Sequence, residues 1–108
     1  MDIETRLCPR IHVDWPAVIK TRHGSIAGNT RDISSIGVFI LSSVEPEVDQ
    51  RISILIEPPR ARSIRVIGRM VWSHNFDVEG KTVFGIAIRF IAISPADQKY
   101  IGGLMQKN

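Results

Sequence analysis

The chain has 108 residues, of which 44% are hydrophobic, and a net charge of +3 at pH 7. This length predicts a single domain with a buried core, and no apolar run reaches the roughly 18 residues that a membrane span requires. The single cysteine, Cys8, excludes an internal disulfide and lacks partners for a zinc site, so we expect a cytoplasmic protein. The modest positive charge favours an anionic partner without the basic clustering typical of nucleic-acid binding.

The first half of the chain alternates apolar and polar residues with a period of two, which is typical of half-buried strands. Pro16 removes one backbone donor and therefore indicates an edge or a bulge. Gly24 predicts a turn with positive φ after the first strand. The predicted strands of this half cover residues 11–20, 26–31 and 38–41, with an interruption at 32–37.

The second half continues the same pattern. Pro58 and Pro59 end one strand, and a turn is expected over residues 75–81. Arg65 and Arg69 share one strand face, which we expect to be solvated. The predicted strands of this half cover residues 51–57, 64–73 and 84–90, the last with a core stripe of Phe84, Ile86, Ile88 and Phe90.

The C-terminal segment carries the signals of a helix start. Ser94 is the expected N-cap, Pro95 fits the first turn, and Asp97 meets the positive end of the helix dipole. Gly102 and Gly103 weaken the helix, so it must pack on the rest of the domain. Its predicted apolar face consists of Tyr100, Ile101, Leu104 and Met105.

Two short segments carry residues suited to binding a ligand. Arg6 and Arg10 flank Pro9 on a non-helical arm, and each guanidinium can bind a phosphate or the O6/N7 edge of guanine. The Asp32 carboxylate can accept from the N1–H and N2–H groups of guanine, and the Ser34 hydroxyl can donate to a phosphate. A solvated arginine pair and an ordinary Asp-x-Ser turn are the alternative interpretation.

In these two segments the chain resembles the PilZ domain family. The family's R-x-x-x-R and D-x-S-x-x-G motifs stand at residues 6–10 and 32–37 in the expected order. The Met-Val-Trp stretch at 70–72, the strand at 85–90 and the Ser-Pro helix start also resemble the family, so the resemblance covers nearly the whole chain.

The resemblance implies a mainly β fold, a six-stranded antiparallel barrel with a C-terminal α-helix. It also implies a bacterial second-messenger receptor whose ligand is cyclic di-GMP. Arg6 and Arg10 would hold phosphate and guanine, while Asp32, Ser34 and Gly37 would form the barrel side of the site. We divide this single domain into an N-terminal arginine arm (1–10), the barrel (11–93) and the helix (94–108).

Trp72 stands at a predicted strand end and is a further candidate for ligand binding, because an indole can stack on a base. A core position is the alternative for a tryptophan in a strand. No metal-ligand spacing is found around the three histidines, and no cofactor beyond the ligand is expected.

The predicted function is therefore a receptor module, not an enzyme, that signals by conformational change or by binding an effector protein. One alternative is a PilZ-like adaptor that binds protein without a nucleotide. Another is a small barrel that binds single-stranded nucleic acid. This alternative is disfavoured because only Phe39 is placed for stacking on bases.

Overall fold

The structure, a computed structural model, describes residues 10–46 and 51–106. Within these residues, seven strand segments precede one helix. They are β1 (Ile11–His12), β2 (Pro16–Thr21), β3 (Gly24–Ile33), β4 (Gly37–Ser42), β5 (Ile52–Ile56), β6 (Ile64–Val78), β7 (Lys81–Ile93) and α1 (Pro95–Gln106).

The strands close into a barrel because β3 pairs with β2 along one edge and with β4 along the other. All pairings are antiparallel, and the circuit runs β3-β2-β5-β6-β7-β4 before returning to β3. β1 and β2 both follow the same edge of β3, so the seven segments make six strands of barrel. The predicted fold, a six-stranded antiparallel barrel with a C-terminal helix, is confirmed.

Isoleucine fills the barrel interior. Successive strand side chains point to opposite faces, so the inward positions of each strand form one apolar layer. Ile101 of α1 is also fully buried, which packs the helix against this layer. The largest fully buried side chains are Ile19, Ile33, Ile40, Ile54, Ile56, Ile64, Ile86 and Ile101.

The predicted strand over 11–20 is interrupted between β1 and β2. The segment between β1 and β2 remains hydrogen-bonded to β3. The Val13 amide donates to the Arg31 carbonyl at 3.2 Å. The Trp15 amide donates to Thr30 Oγ1 at 2.8 Å, and the Trp15 carbonyl accepts from the Thr30 amide at 2.8 Å. The interruption coincides with a change of register by one residue, since Ile11 lies opposite Ile33 whereas Pro16 lies opposite Asn29.

The predicted turn at 75–81 is wrong, since β6 continues to Val78 and β7 begins at Lys81. The turn contains only Glu79 and Gly80, with φ values of 51° and 80°. Positive φ at both central residues is the requirement of a tight type I′ hairpin turn. The sequence did not predict these strand ends because residues on both faces of the hairpin are exposed. The alternation of apolar and polar residues that indicates a strand is therefore missing.

α1 begins as predicted, with Ser94 Oγ accepting from the Asp97 amide at 3.1 Å. The face of α1 that packs on the barrel is narrower than predicted. Ile101 is buried and Leu104 and Met105 are partly buried, whereas Tyr100 is exposed. Positions i, i+3 and i+4 already fill the contact face, which leaves Tyr100 at its margin. No helix within the described ranges is both long and apolar enough to cross a membrane.

The predicted stripe on β7 is also only partly correct. Ile86 and Ile88 are buried, whereas Phe84 and Phe90 are partly exposed. Phe84 lies opposite Ser42, the last residue of β4, and Phe90 lies beyond Arg89, the last partner of β4. These positions are at the ends of the barrel, where fewer neighbours cover the rings.

We expect Thr30→Val to lower the free energy of unfolding by about 1–3 kcal/mol, because the buried Trp15 amide would lose its acceptor. Denaturant unfolding measures this. Thr82→Val is the matched control, since the Thr82 hydroxyl is exposed and lies 3.4 Å from Asp77 Oδ1. An equal decrease in the free energy of unfolding for both variants would show that the Thr30 hydroxyl does not stabilise the segment before β2.

Candidate functional site

A row of outward-facing side chains crosses four strands of the barrel. Asp32 lies opposite Phe39, Phe39 opposite Ala87, and Ala87 opposite Trp72. With strands about 4.8 Å apart, three steps separate Asp32 from Trp72 by about 14 Å along the surface. The row faces outward because the adjacent positions, Ile33, Val38 and Ile88, are buried.

Two β-bulges place the ends of this row on the outer face. In β3 both Thr30 and Ile33 are buried, so the extra residue at the register shift leaves Arg31 and Asp32 both outside. In β6 the shift between Met70 and Trp72 does the same, because regular alternation from Ile64 would have turned Trp72 inward. β-Bulges next to functional sites commonly change the direction in which a side chain points.

Arg10 and Asp32 meet where β1 pairs with the end of β3. Ile11 lies opposite Ile33, and Arg10 Nη1 lies 3.7 Å from Asp32 Oδ1. This is an ion-pair distance and too long for a hydrogen bond. Asp32 Oδ1 is buried and has no hydrogen-bond partner among the described residues. A buried acceptor without a donor is unfavourable, so this oxygen is prepared to accept from a ligand N–H group.

Ser34 and Gly37 shape the turn that follows Asp32. Ser34 Oγ accepts from the Ile36 and Gly37 amides, both at 3.2 Å, and the hydroxyl lies 3.4 Å from the Gly37 carbonyl oxygen. Gly37 is needed for close approach, since a Cβ at this position would collide with the Ile88 carbonyl oxygen. The Phe90 amide donates to the Ile36 carbonyl at 2.8 Å, and this hydrogen bond connects the turn to β7.

The other end of the row is aromatic. The Trp72 side chain is 51% exposed, and its ring centroid lies 5.6 Å from that of Phe39 at an interplanar angle of 45°. Gly85 leaves room for the Phe39 ring, because a Cβ there would be 2.5 Å from Phe39 Cζ. His74 stacks on Phe76 with a centroid distance of 6.2 Å. His74 and Phe76 thus add aromatic surface to Trp72 and Phe39, the two rings that sequence reasoning had considered for stacking on bases.

A shallow depression of about 410 Å³ adjoins the Asp32 end of the row. Such a volume lies within the range of sites for small ligands. His12, which lies opposite Asp32, and Arg31 of the bulge both contribute to it, and His12 Nδ1 is 3.2 Å from the Arg31 carbonyl oxygen. The lining residues are His12, Val13, Asp14, Asn29, Thr30, Arg31 and Leu41.

The structure brings together most of the candidate residues. Arg10, Asp32, Ser34 and Gly37 lie around the start of β4, and Trp72 ends the row that begins at Asp32. Sequence reasoning did not assign Phe39 to this site, although its place after the buried Val38 could have indicated an outward ring. Arg6 and the rest of the arm before Arg10 lie outside the described residues.

Within the described part of the chain, no group of three or more His, Cys, Asp or Glu residues could hold a metal ion. The arrangement is instead suited to a planar, anionic ligand. A carboxylate that needs donors and a guanidinium stand at one end, and an exposed indole stands at the other.

Solved structures share this fold. The PilZ domain of YcgR from Escherichia coli, solved with c-di-GMP, matches with a TM-score of 0.76 at 14% identity, covering 93% of this chain and 88% of that chain. The MrkH–c-di-GMP complex of K. pneumonia matches with a TM-score of 0.78 at 14% identity, covering 92% and 50%. The Bacillus subtilis inhibitor of motility MotI/DgrA matches with a TM-score of 0.71 at 15% identity, covering 87% and 46%.

This chain therefore spans about half the length of MrkH and of MotI/DgrA. A comparison with curated proteins finds no match. The model of the PilZ domain family matches residues 4–107, which is nearly the entire sequence. Together with the barrel, this match shows that the chain belongs to the PilZ domain family.

Proposed function

We propose that this domain is a bacterial receptor for cyclic di-GMP. The observation that carries the proposal is the buried Asp32 Oδ1, which has no hydrogen-bond donor in the described part of the chain and lies 3.7 Å from Arg10 Nη1. The YcgR and MrkH structures with the same fold contain c-di-GMP, which supports the choice of ligand.

Guanine complements the Asp32 end of the row. Its N1–H and N2–H groups are adjacent donors, and the Asp32 carboxylate supplies two acceptor oxygens. Adenine has an acceptor at N1, which a carboxylate would repel. Arg10, the described member of the R-x-x-x-R motif, is proposed to bind a phosphate or the O6/N7 edge of the same base. Arg6 is proposed to supply the second guanidinium.

The second base of the ligand is proposed to stack on Trp72. The indole is half exposed and is supported from one side by Phe39. Stacking of a base on an aromatic ring contributes about 1–3 kcal/mol. Cyclic di-GMP has a guanine on each side of its phosphate ring, so one ligand can reach both ends of the row. Ser34 and Gly37 would support this surface by holding the turn beside it.

The proposed role is signalling without catalysis. A nucleotide that covers the row would replace an exposed aromatic surface with sugar and phosphate, and it would change the charge around Arg10. An effector protein of unknown identity could then distinguish the bound from the free domain by its surface. We propose a cytoplasmic location, which is consistent with the single cysteine.

Arg10→Ala should weaken cyclic di-GMP binding by about ten- to a hundredfold, because a charge-assisted contact of about 1.5–3 kcal/mol is lost. Isothermal titration calorimetry measures the change. Arg65→Ala is the control: Arg65 is exposed and lies opposite Leu55, away from the row. If the Arg10 variant binds like the Arg65 variant, Arg10 does not hold the ligand.

Asp32→Asn should reduce the preference for guanine, since the amide keeps one acceptor and loses the charge. We expect cyclic di-GMP affinity to fall about tenfold or more. Cyclic di-AMP should bind weakly to both proteins. Titration of both nucleotides against both proteins tests this. Equal affinity of the unsubstituted domain for the two nucleotides would contradict a guanine-reading Asp32.

Trp72 should report binding by fluorescence, because a base stacked on the exposed indole quenches its emission. The chain has two tryptophans, and the other, Trp15, belongs to the core. Cyclic di-GMP should therefore quench the unsubstituted domain and leave the emission of Trp72→Phe nearly unchanged. Quenching of equal size in that variant would show that the ligand does not contact Trp72.

A further inference from the structure

The second half of β6 has an edge that no other described strand covers. β5 pairs with β6 only from Ile64 to Gly68, and in the described part of the chain the rest of β6 pairs with β7 alone. Residues 71–80 are all exposed. Alternate residues of such a strand direct their N–H and C=O groups away from the hairpin, where another strand can pair with them.

This edge, which we call the free edge and define as residues 72–78, has few features that prevent strand pairing. It contains no proline, glycine or lysine, and the β-bulge of β6 lies before it, between Met70 and Trp72. Its large apolar side chains, Trp72, Phe76 and Val78, are exposed. A regular, exposed and apolar strand edge is a site where a further strand adds to a sheet.

The polar side chains of the free edge are complementary to those of an antiparallel copy. When Asn75 lies opposite Asn75 of a second copy, Ser73 lies opposite Asp77. Two amide groups can exchange hydrogen bonds, and a serine hydroxyl can donate to a carboxylate. Among the described residues, neither Ser73 nor Asn75 makes a side-chain hydrogen bond, and Thr82 Oγ1 lies near only one Asp77 oxygen, Oδ1, at 3.4 Å.

The same register also matches the apolar and aromatic side chains. On the outer face, Trp72 lies opposite Val78 of the second copy, and His74 lies opposite Phe76. Aromatic pairs and pairs of an aromatic with a β-branched residue stabilise neighbouring strands. Asp77 is the one charged residue of the free edge when His74 is neutral, and this register keeps the carboxylates of the two copies apart.

We propose that the free edge joins two copies of this chain in a symmetric dimer, with Asn75 on the two-fold axis. The two hairpins form one antiparallel sheet in the order β7-β6-β6-β7, and a two-fold axis requires a surface that is complementary to itself. The pairing is independent of any nucleotide and goes beyond the proposed function. Because the contact is short, the dimer dissociates in the micromolar range.

Analytical ultracentrifugation of the full chain over a range of micromolar concentrations tests the dimer. Asn75→Lys should weaken association about tenfold or more, because two like charges then face each other on the axis. Asn75→Asp should act in the same way, whereas an equal mixture of the two variants should associate again, since a lysine then faces an aspartate. Ser63→Lys is the matched control: it adds the same charge at an exposed loop position before β6 and should leave association within about twofold.

A monomer at every concentration, equal weakening by the two lysine substitutions, or a mixture that fails to associate would overturn the proposal. The mixture also separates loss of pairing from loss of folding, because misfolded variants would not restore each other's association.

Disulfide trapping measures the register after Cys8, the single cysteine, is replaced by serine. Asn75→Cys should give a linked dimer, because directly opposite residues have Cα atoms about 4.5–5.5 Å apart. Ser73→Cys mixed with Asp77→Cys should also link, whereas Ser73→Cys alone should not, since its two copies lie about 13 Å apart along the strands. Arg65→Cys is the control, exposed on the part of β6 that pairs with β5. Linking at Arg65 as efficient as at Asn75 would overturn the proposal.

Discussion

The outer surface of this barrel depends on a constraint of strand geometry, the two β-bulges at Arg31 and Val71. Side chains alternate strictly along a regular strand, so an acceptor or an indole two residues beyond a buried position should be buried as well. One extra residue in β3 and one in β6 reverse this alternation. Asp32 and Trp72 consequently lie on the outer face of the barrel at the two ends of one row.

The interior makes this surface rigid. Layers of isoleucine fill the barrel, and packed interiors of this kind deform little. The chain before β2 is fastened to β3 through Thr30 and Trp15, which places Arg10 beside Asp32. The Ser34 hydroxyl and the close approach at Gly37 hold the following turn against β7. The core thus determines where the polar groups stand, although it contributes none of them.

Two features of the outer surface are unfavourable for the domain on its own. Among the described residues, one carboxylate oxygen is buried without a donor, and one indole is half exposed. Local departures from good packing and charge pairing commonly occur at functional sites. A ligand with N–H donors and flat bases would supply the missing donor and would cover the exposed indole.

The sequence by itself determined the fold class and most of the candidate residues. The alternation of isoleucine and valine predicted the barrel strands, and Ser94 and Pro95 predicted the start of α1, because both signals are local. The order of the R-x-x-x-R and D-x-S-x-x-G motifs made Arg10, Asp32, Ser34 and Gly37 candidates for ligand binding. The arrangement of the site required the tertiary structure. Periodicity counts residues along one strand, so it could neither locate the bulges nor reveal that Phe39 contacts Trp72 and that Arg69 faces Arg89. Those contacts depend on the register between strands, which is set by closure of the whole barrel.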